Sequence, residues 1–300
     1  MDLPRPIAFV LGGGASLGAV QVGMLQALAE DRLEPDLVVG ASVGAINGAL
    51  LAEDPAGAAN RLVHFWAQVT RQEVFPGSAV DLVRALHRRR NHLVAPDGLR
   101  DLLGRVLVSE RIEDLPLPFT AVATDLLSGD LVALRSGPLV DSLLASAAVP
   151  GLYPPVRIGG RELVDGGVNS NIPVRAALSA GAGSIVVLDC GLFGFRSRPP
   201  RGLPEMVTQA LAIMLGQQAA RDIPAAAAEV PVLYLPGPFP VTGSPLEFAD
   251  SARLMQEAYE ETRRFLAQVE PRGPGLYGEP HLRSGQQIEE PHAPDGERAT

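Results

Sequence analysis

The chain has 300 residues, 46% of them hydrophobic and 20% charged, which suffices to bury a sizeable core within one large domain. Its net charge is -9 and its 25 basic residues are all arginine, so it offers no broad basic face for nucleic acid. The single cysteine, Cys190, excludes an internal disulfide framework and suits a reducing compartment.

The opening MDLPRPIAFVLGGG has too much proline and glycine for a signal-peptide core, and no apolar run reaches the ~18 residues of a membrane span. A cytoplasmic location, with peripheral contact at a membrane, is expected. Residues 7–11 read as a buried strand that ends abruptly at Gly12-Gly13-Gly14. Residues 17–29 return with helical spacing, Val20, Met24, Ala27 and Leu28 sharing a face. A strand, a glycine loop and a helix together cradle anions through backbone N–H groups. The dinucleotide fingerprint fails here because Leu17 stands where it needs glycine, and no Gly-Lys-Ser/Thr follows for a P-loop.

The next stretch, PDLVVGASVGAINGALLA, organises the chain. Residues 36–39 read as a short strand and residues 43–52 as a packed helix, so Gly40-Ala41-Ser42-Val43-Gly44 matches G-x-S-x-G in its strand-to-helix setting. A sharp turn there needs residues without Cβ, and the following helix aims its N-terminal amides at the serine. The same five residues are also an ordinary product of a chain with 32 glycines.

From residue 61 to 108 apolar residues alternate with arginines, including His87-Arg88-Arg89-Arg90, and residues 81–86 and 98–107 suggest short amphipathic helices. Such a segment reads either as a lid or membrane-facing patch or as a solvated helical face. Residues 119–124 and 130–134 read as strands around a turn at 125–129, and residues 139–148 as a helix stopped by Val149-Pro150-Gly151. A second hairpin, 154–158 and 161–164 around Gly159-Gly160, leads to Asp165-Gly166-Gly167. A helix at 174–180, a strand at 184–189, a Pro/Arg-rich connection at 196–203, a helix at 204–228, a strand at 232–235 and a helix at 250–268 follow. Residues 1–270 thus form one domain with a helical, lid-like insertion at about 61–110, and the Pro/Gly-rich residues 271–300 read as a disordered tail. Strands alternating with helices, plus two hairpins, define an α/β three-layer architecture with a mixed sheet.

A serine hydroxyl is a weak nucleophile and needs a base and an oxyanion site. Of the five histidines, His64, His87 and His92 lie in the insertion and His281 and His292 in the tail, so none holds the late, ordered position of an α/β-hydrolase base. Asp165, at the end of an apolar strand and followed by two glycines, is placed to take the Ser42 proton directly. Asp125, Asp130 and Asp189 also sit near strand ends, where aspartate commonly forms turns without any chemistry. Cys190 reads as a buried strand-end residue.

The stretches GGGASLGAVQVGMLQAL (12–28), GASVGAINGAL (40–50), ATDLLSGD (123–130), SAAVPGLYPPV (146–156) and LVDGGVNSNIPV (163–174) together resemble the patatin-like phospholipase family. The resemblance implies a three-layer α/β/α fold with a mixed, mainly parallel sheet. It implies a dyad in which Ser42 is the nucleophile and Asp165 the base, and an oxyanion hole formed by the Gly12, Gly13, Gly14 and Ala15 amides. Gly40, Gly44, Gly166 and Gly167 support the two motifs. The implied reaction is cofactor-free and metal-independent hydrolysis of fatty-acyl esters in phospholipids, lysophospholipids or glycerides. One position departs from the family: Leu17 stands where an Arg or Lys usually precedes the last glycine of the loop. A general carboxylesterase or acyltransferase on soluble esters, or an inactive lipid-binding relative, are the alternatives.

Overall fold

The strand β1 (Ile7–Leu11) is buried at all five positions, as a strand is when both faces of its sheet are covered. The structure, a computed structural model, describes residues 1–75, 92–191, 202–238 and 247–280, and both covers are present. Ile7, Phe9 and Leu11 enter one hydrophobic cluster, while Ala8 and Val10 enter a second on the opposite face. Helices α1 (Ala19–Glu30), α2 (Val43–Glu53), α3 (Ala58–Gln68), α4 (Asp97–Val106) and α5 (Leu139–Ser146), with the late helix Ser251–Leu266, pack into the first cluster. Helices α6 (Val174–Ser179) and α7 (Leu203–Ala227) pack into the second. The fold is therefore a three-layer α/β/α sandwich.

The remaining strands are β2 (Leu37–Ala41), β3 (Phe119–Asp125), β4 (Leu131–Leu134), β5 (Val156–Ile158), β6 (Arg161–Asp165), β7 (Ser184–Leu188), β8 (Pro231–Tyr234) and β9 (Gly275–Tyr277). Their order is β5-β6-β3-β2-β1-β7-β8-β9, with β4 also on β3. Pairings from β3 through β2, β1, β7 and β8 to β9 are parallel, and β4, β6 and β5 add antiparallel partners at the other side. The expected mixed, mainly parallel sheet is present, and the expected strands and helices that lie among the described residues fall within a few residues of their expected bounds.

Two expectations change. The tail does not begin at residue 271, because Gly275–Tyr277 pairs in parallel with Pro231–Leu233 of β8. That buried strand would otherwise present an open row of backbone donors and acceptors, and three extended residues satisfy it. Residues 281–300 lie outside the described residues, as do residues 81–86, the arginine run with His87, most of the connection at 196–203, His281 and His292.

The second concerns the insertion. Leu62 and Trp66 of α3 and Leu99, Leu102 and Leu103 of α4 are buried in the main core, so these helices build the domain rather than only decorate it. Their arginines point outward into ion pairs: Arg61 with Glu53, Arg100 with Asp141 at 2.8 Å and Arg105 with Glu73 at 2.7 Å. Among the described residues, no helix is long and apolar enough to cross a membrane.

Candidate active site

Strand registers bring the serine and the aspartate together. β2 runs parallel to β3 and ends with Ala41 opposite Val122. β6 runs antiparallel to β3 and ends with Asp165 opposite Ala123. Because β4 pairs with both Val122 and Ala123, it occupies one edge of β3, and β2 and β6 share the other. Two strands therefore meet head-on along a single edge, and both chains must leave the sheet there. Ser42 and Asp165 sit at that meeting point.

Ser42 leaves by a sharp elbow with φ 55 and ψ -127, a conformation that a non-glycine residue adopts only under strain. The glycines on either side permit it: a Cβ on Gly40 would lie 2.4 Å from the Gly44 carbonyl oxygen. Asp165 is buried beside Gly166 and Gly167, and its Oδ1 accepts the Gly167 N–H at 2.7 Å. Its Oδ2 is buried without a hydrogen-bond partner among the described residues. Burial pushes the Asp165 pKa up to about 6, against the opposing pull of the Ser42 hydroxyl and the Gly167 amide. The Ser42 hydroxyl is thus near enough to act on the carboxyl.

The glycine loop lies beside Ser42, where a Cβ on Gly13 would come 3.1 Å from the Ser42 Cβ, yet its four amides are not equivalent. Gly12 N–H donates to the Leu188 carbonyl and Gly13 N–H to the Asn171 carbonyl, each at 3.1 Å. These two amides are occupied, which corrects the expected set of four oxyanion donors. Among the described residues, the amides of Gly14 and Ala15 have no such partner, and Ala15 adopts a left-handed φ of 52. Asn171 clamps the loop from both sides, since its Nδ2 also donates to the Gly13 carbonyl at 3.2 Å.

Behind the loop, a buried polar network fixes it to α2. Gln21 Nε2 donates to the Gly12 and Leu188 carbonyls at 2.8 and 3.0 Å. Asn47 Nδ2 donates to Gln21 Oε1 at 2.8 Å and to the Gly18 carbonyl at 3.0 Å, while Asn47 Oδ1 accepts Trp66 Nε1–H at 3.0 Å. Every member is satisfied, so the network rigidifies rather than destabilises. Leu17, the position that departs from the family, is buried in the main core. Sequence reasoning missed Gln21, Asn47 and Asn171. A signal existed for the first two, each an amide within an apolar helical run.

Ser42 and Ala15 open onto a pocket with about 550 Å³ of empty space, its mouth included. Its walls are almost wholly apolar: Val43 and Ile46 of α2, Phe65, Trp66 and Val69 around α3, Leu99 and Leu102 of α4, and Phe75, Tyr153 and Phe248. Trp66 stacks on Phe248 at 5.9 Å, and Phe75 contacts both Phe248 and Tyr153 at 6.3 and 6.2 Å. No histidine lines this pocket among the described residues; His64 is exposed and pairs with Gln68. Asp125 caps its own turn by accepting the Leu127 N–H at 2.9 Å, and Asp189 accepts from Tyr234 on the far side of the sheet. Cys190 is buried, and burial beside Asp189 pushes its thiol pKa up, away from nucleophilic character. No three His, Cys, Asp or Glu residues come together as a metal site among the described residues.

An α/β sandwich that sets a strained serine elbow against a buried aspartate, beneath a glycine loop, defines a class. The model of one such family, the patatin-like phospholipases, matches residues 9–178. The chain belongs to the patatin-like phospholipase family. It is 34% identical over 205 residues to an uncharacterized NTE family protein of Mycobacterium tuberculosis, covering 68% of this chain and 54% of that one. It is 33% identical over 188 residues to patatin-like phospholipase domain-containing protein 7 of Rattus norvegicus, covering 62% of this chain and 14% of that one. The chain thus spans about half the length of its mycobacterial relative and a small part of the mammalian one. The crystal structure of VipD from Legionella pneumophila aligns over 88% of this chain and 67% of its own, with 16% identity and a TM-score of 0.45.

Proposed function

We propose that the protein is a serine acyl hydrolase that cleaves fatty-acyl esters of lipids through Ser42 and Asp165. The observation that carries this reading is the meeting of the strained Ser42 elbow and the buried Asp165 on one edge of β3, with Ser42 lining an apolar pocket. Ser42 Oγ attacks the ester carbonyl as its proton passes to Asp165, and the Gly14 and Ala15 amides receive the oxyanion. Collapse of the tetrahedral intermediate breaks the ester C–O bond, and Asp165 returns the proton to the departing alcohol or lysolipid. Water, deprotonated by Asp165, then attacks the acyl-enzyme and releases the fatty acid with Ser42 restored. The apolar walls suit an acyl chain, whose burial gives roughly 0.8 kcal/mol per methylene. Neither cofactor nor metal enters these steps.

The test is labelling of the purified protein by a fluorescent fluorophosphonate, alongside fatty-acid release from phosphatidylcholine vesicles and hydrolysis of a short water-soluble ester. Wild type should be labelled and release fatty acid, and Ser42→Ala should do neither. Labelling with soluble-ester turnover but no vesicle turnover would replace lipid with soluble substrates. No labelling and equal behaviour of the two proteins would sink the hydrolase reading.

The raised pKa of Asp165 sets the pH dependence. The base must be ionised, so kcat/KM on the soluble ester should fall about tenfold per pH unit below about 6 and level off above it. A profile centred near the ordinary carboxylate value, or one controlled by a group near 7 and absent of any limb near 6, would remove Asp165 from the role of base.

A further inference from the structure

One buried hydroxyl outside the dyad bridges the backbone of Ser42 to β3. In the β2–β3 ladder, Val38 N–H donates to the Pro118 carbonyl at 2.9 Å. Steps of two along this parallel register would have Ser42 N–H donate to the Val122 carbonyl. It does not. Ser42 N–H donates to Ser146 Oγ at 3.0 Å, and Ser146 Oγ donates to the Val122 carbonyl at 2.6 Å. The hydroxyl of Ser146, a buried residue at the end of α5, is spliced into the ladder bond that β2 would have made by continuing.

The hydroxyl's single proton is committed to Val122, so its lone pairs face Ser42, and both neighbours are satisfied only while it is there. The same segment reaches the other half of the site through its backbone. The Ser146 carbonyl accepts Gly166 N–H at 3.1 Å, and the Ala148 carbonyl accepts Asp165 N–H at 2.9 Å. The end of α5 therefore grips the nucleophile's backbone with a side chain and the aspartate's backbone with its carbonyls.

We propose that Ser146 is a positioning residue, whose inserted hydroxyl holds the Ser42 elbow off β3 and sets its spacing from Asp165. This rests on Ser42 being the nucleophile. Without the hydroxyl, Ser42 N–H is drawn toward the Val122 carbonyl, and the elbow shifts relative to the carboxyl. A misplacement on the order of 1 Å costs reaction rate rather than substrate affinity.

The test compares fluorophosphonate labelling rates, and kcat and KM on a soluble ester, for wild type, Ser146→Ala, Ser146→Cys and Ser142→Ala. Ser142 is an internal control: it is buried on the same helix and donates to the Pro138 carbonyl at 2.9 Å, but does not touch the elbow. Ser146→Ala should label about 10- to 100-fold more slowly, with kcat reduced alike and KM within about twofold of wild type. Ser146→Cys, with a weaker bridging group of similar shape, should fall between. Ser142→Ala should lose thermal stability yet label at the wild-type rate. Wild-type labelling by Ser146→Ala, or equal slowing by Ser142→Ala, would overturn the proposal. If Ser146→Ala does not fold, Ser146→Cys against Ser142→Ala decides in the same way. An unlabelled wild type would instead refute the nucleophile itself and this proposal with it.

Discussion

At neutral pH, Asp165→Asn should hydrolyse ester about 10²- to 10⁴-fold more slowly than wild type, the usual contribution of a general base, and should nevertheless be the more stable protein. Both effects have one cause. Asp165 is buried with an unpartnered oxygen, and desolvation lifts its pKa from 3.8 to about 6. The unfolded chain ionises near 3.8 and the folded chain only near 6, so the folded state binds the extra proton between these values. Stability tied to this group is complete below pH 3.8 and is lost as pH rises through about 6. Two pKa units correspond to about 3 kcal/mol at full ionisation. Asparagine does not titrate, so urea midpoints of the variant and wild type should coincide below pH 3.8, separate in the variant's favour as pH rises toward 6, and stay apart above it. A variant less stable than wild type at neutral pH would show that the carboxylate's contacts outweigh its burial.

The second large effect is structural. Gly44→Ala should destabilise the protein by at least about 3 kcal/mol, because the new Cβ would lie 2.2 Å from the Leu11 carbonyl oxygen and 2.5 Å from that of Gly12. Both obstacles are backbone, one at the end of β1 and one in the glycine loop, so neither side chain nor solvent can yield. Relief requires α2 to withdraw from β1, which carries the Ser42 elbow with it. The same substitution at Gly104, in α4 with nothing within 4 Å, should stabilise by roughly 0.5–1 kcal/mol through helix propensity alone. Chemical unfolding of the two variants should move in opposite directions, and fluorophosphonate labelling should survive only in Gly104→Ala.

How much of this was readable from sequence follows the range of the interaction involved. The elbow at Gly40 to Gly44 and the hairpin ending at Asp165 are local: glycine spacing and apolar runs dictate them, and they occur where the sequence places them. That Ser42 and Asp165 meet is not local. It follows from β2 and β6 sharing an edge of β3, a consequence of register among three strands distant in the chain. The occupied amides of Gly12 and Gly13 were illegible for the same reason, since their acceptors, Leu188 and Asn171, come from far downstream. Gly275–Tyr277 carries no alternation of its own and becomes a strand because β8 needs a neighbour. The insertion illustrates the converse limit: its amphipathic pattern was visible, but whether its apolar face met solvent, lipid or core depended on what lay opposite.

The head-on meeting of β2 and β6 also determines how such a site tolerates change. Ser42 and Asp165 are indexed by hydrogen-bond register on a third strand, and register moves only in whole residues. Lengthening the turn at 126–130 or the Gly159-Gly160 turn leaves that index untouched, whereas sliding β6 by a single residue would put Val164 in place of Asp165 and point the carboxylate at the opposite face. Loops around the site are therefore free to diversify in length, while the alignment of the proposed nucleophile and base is either kept whole or lost at one step.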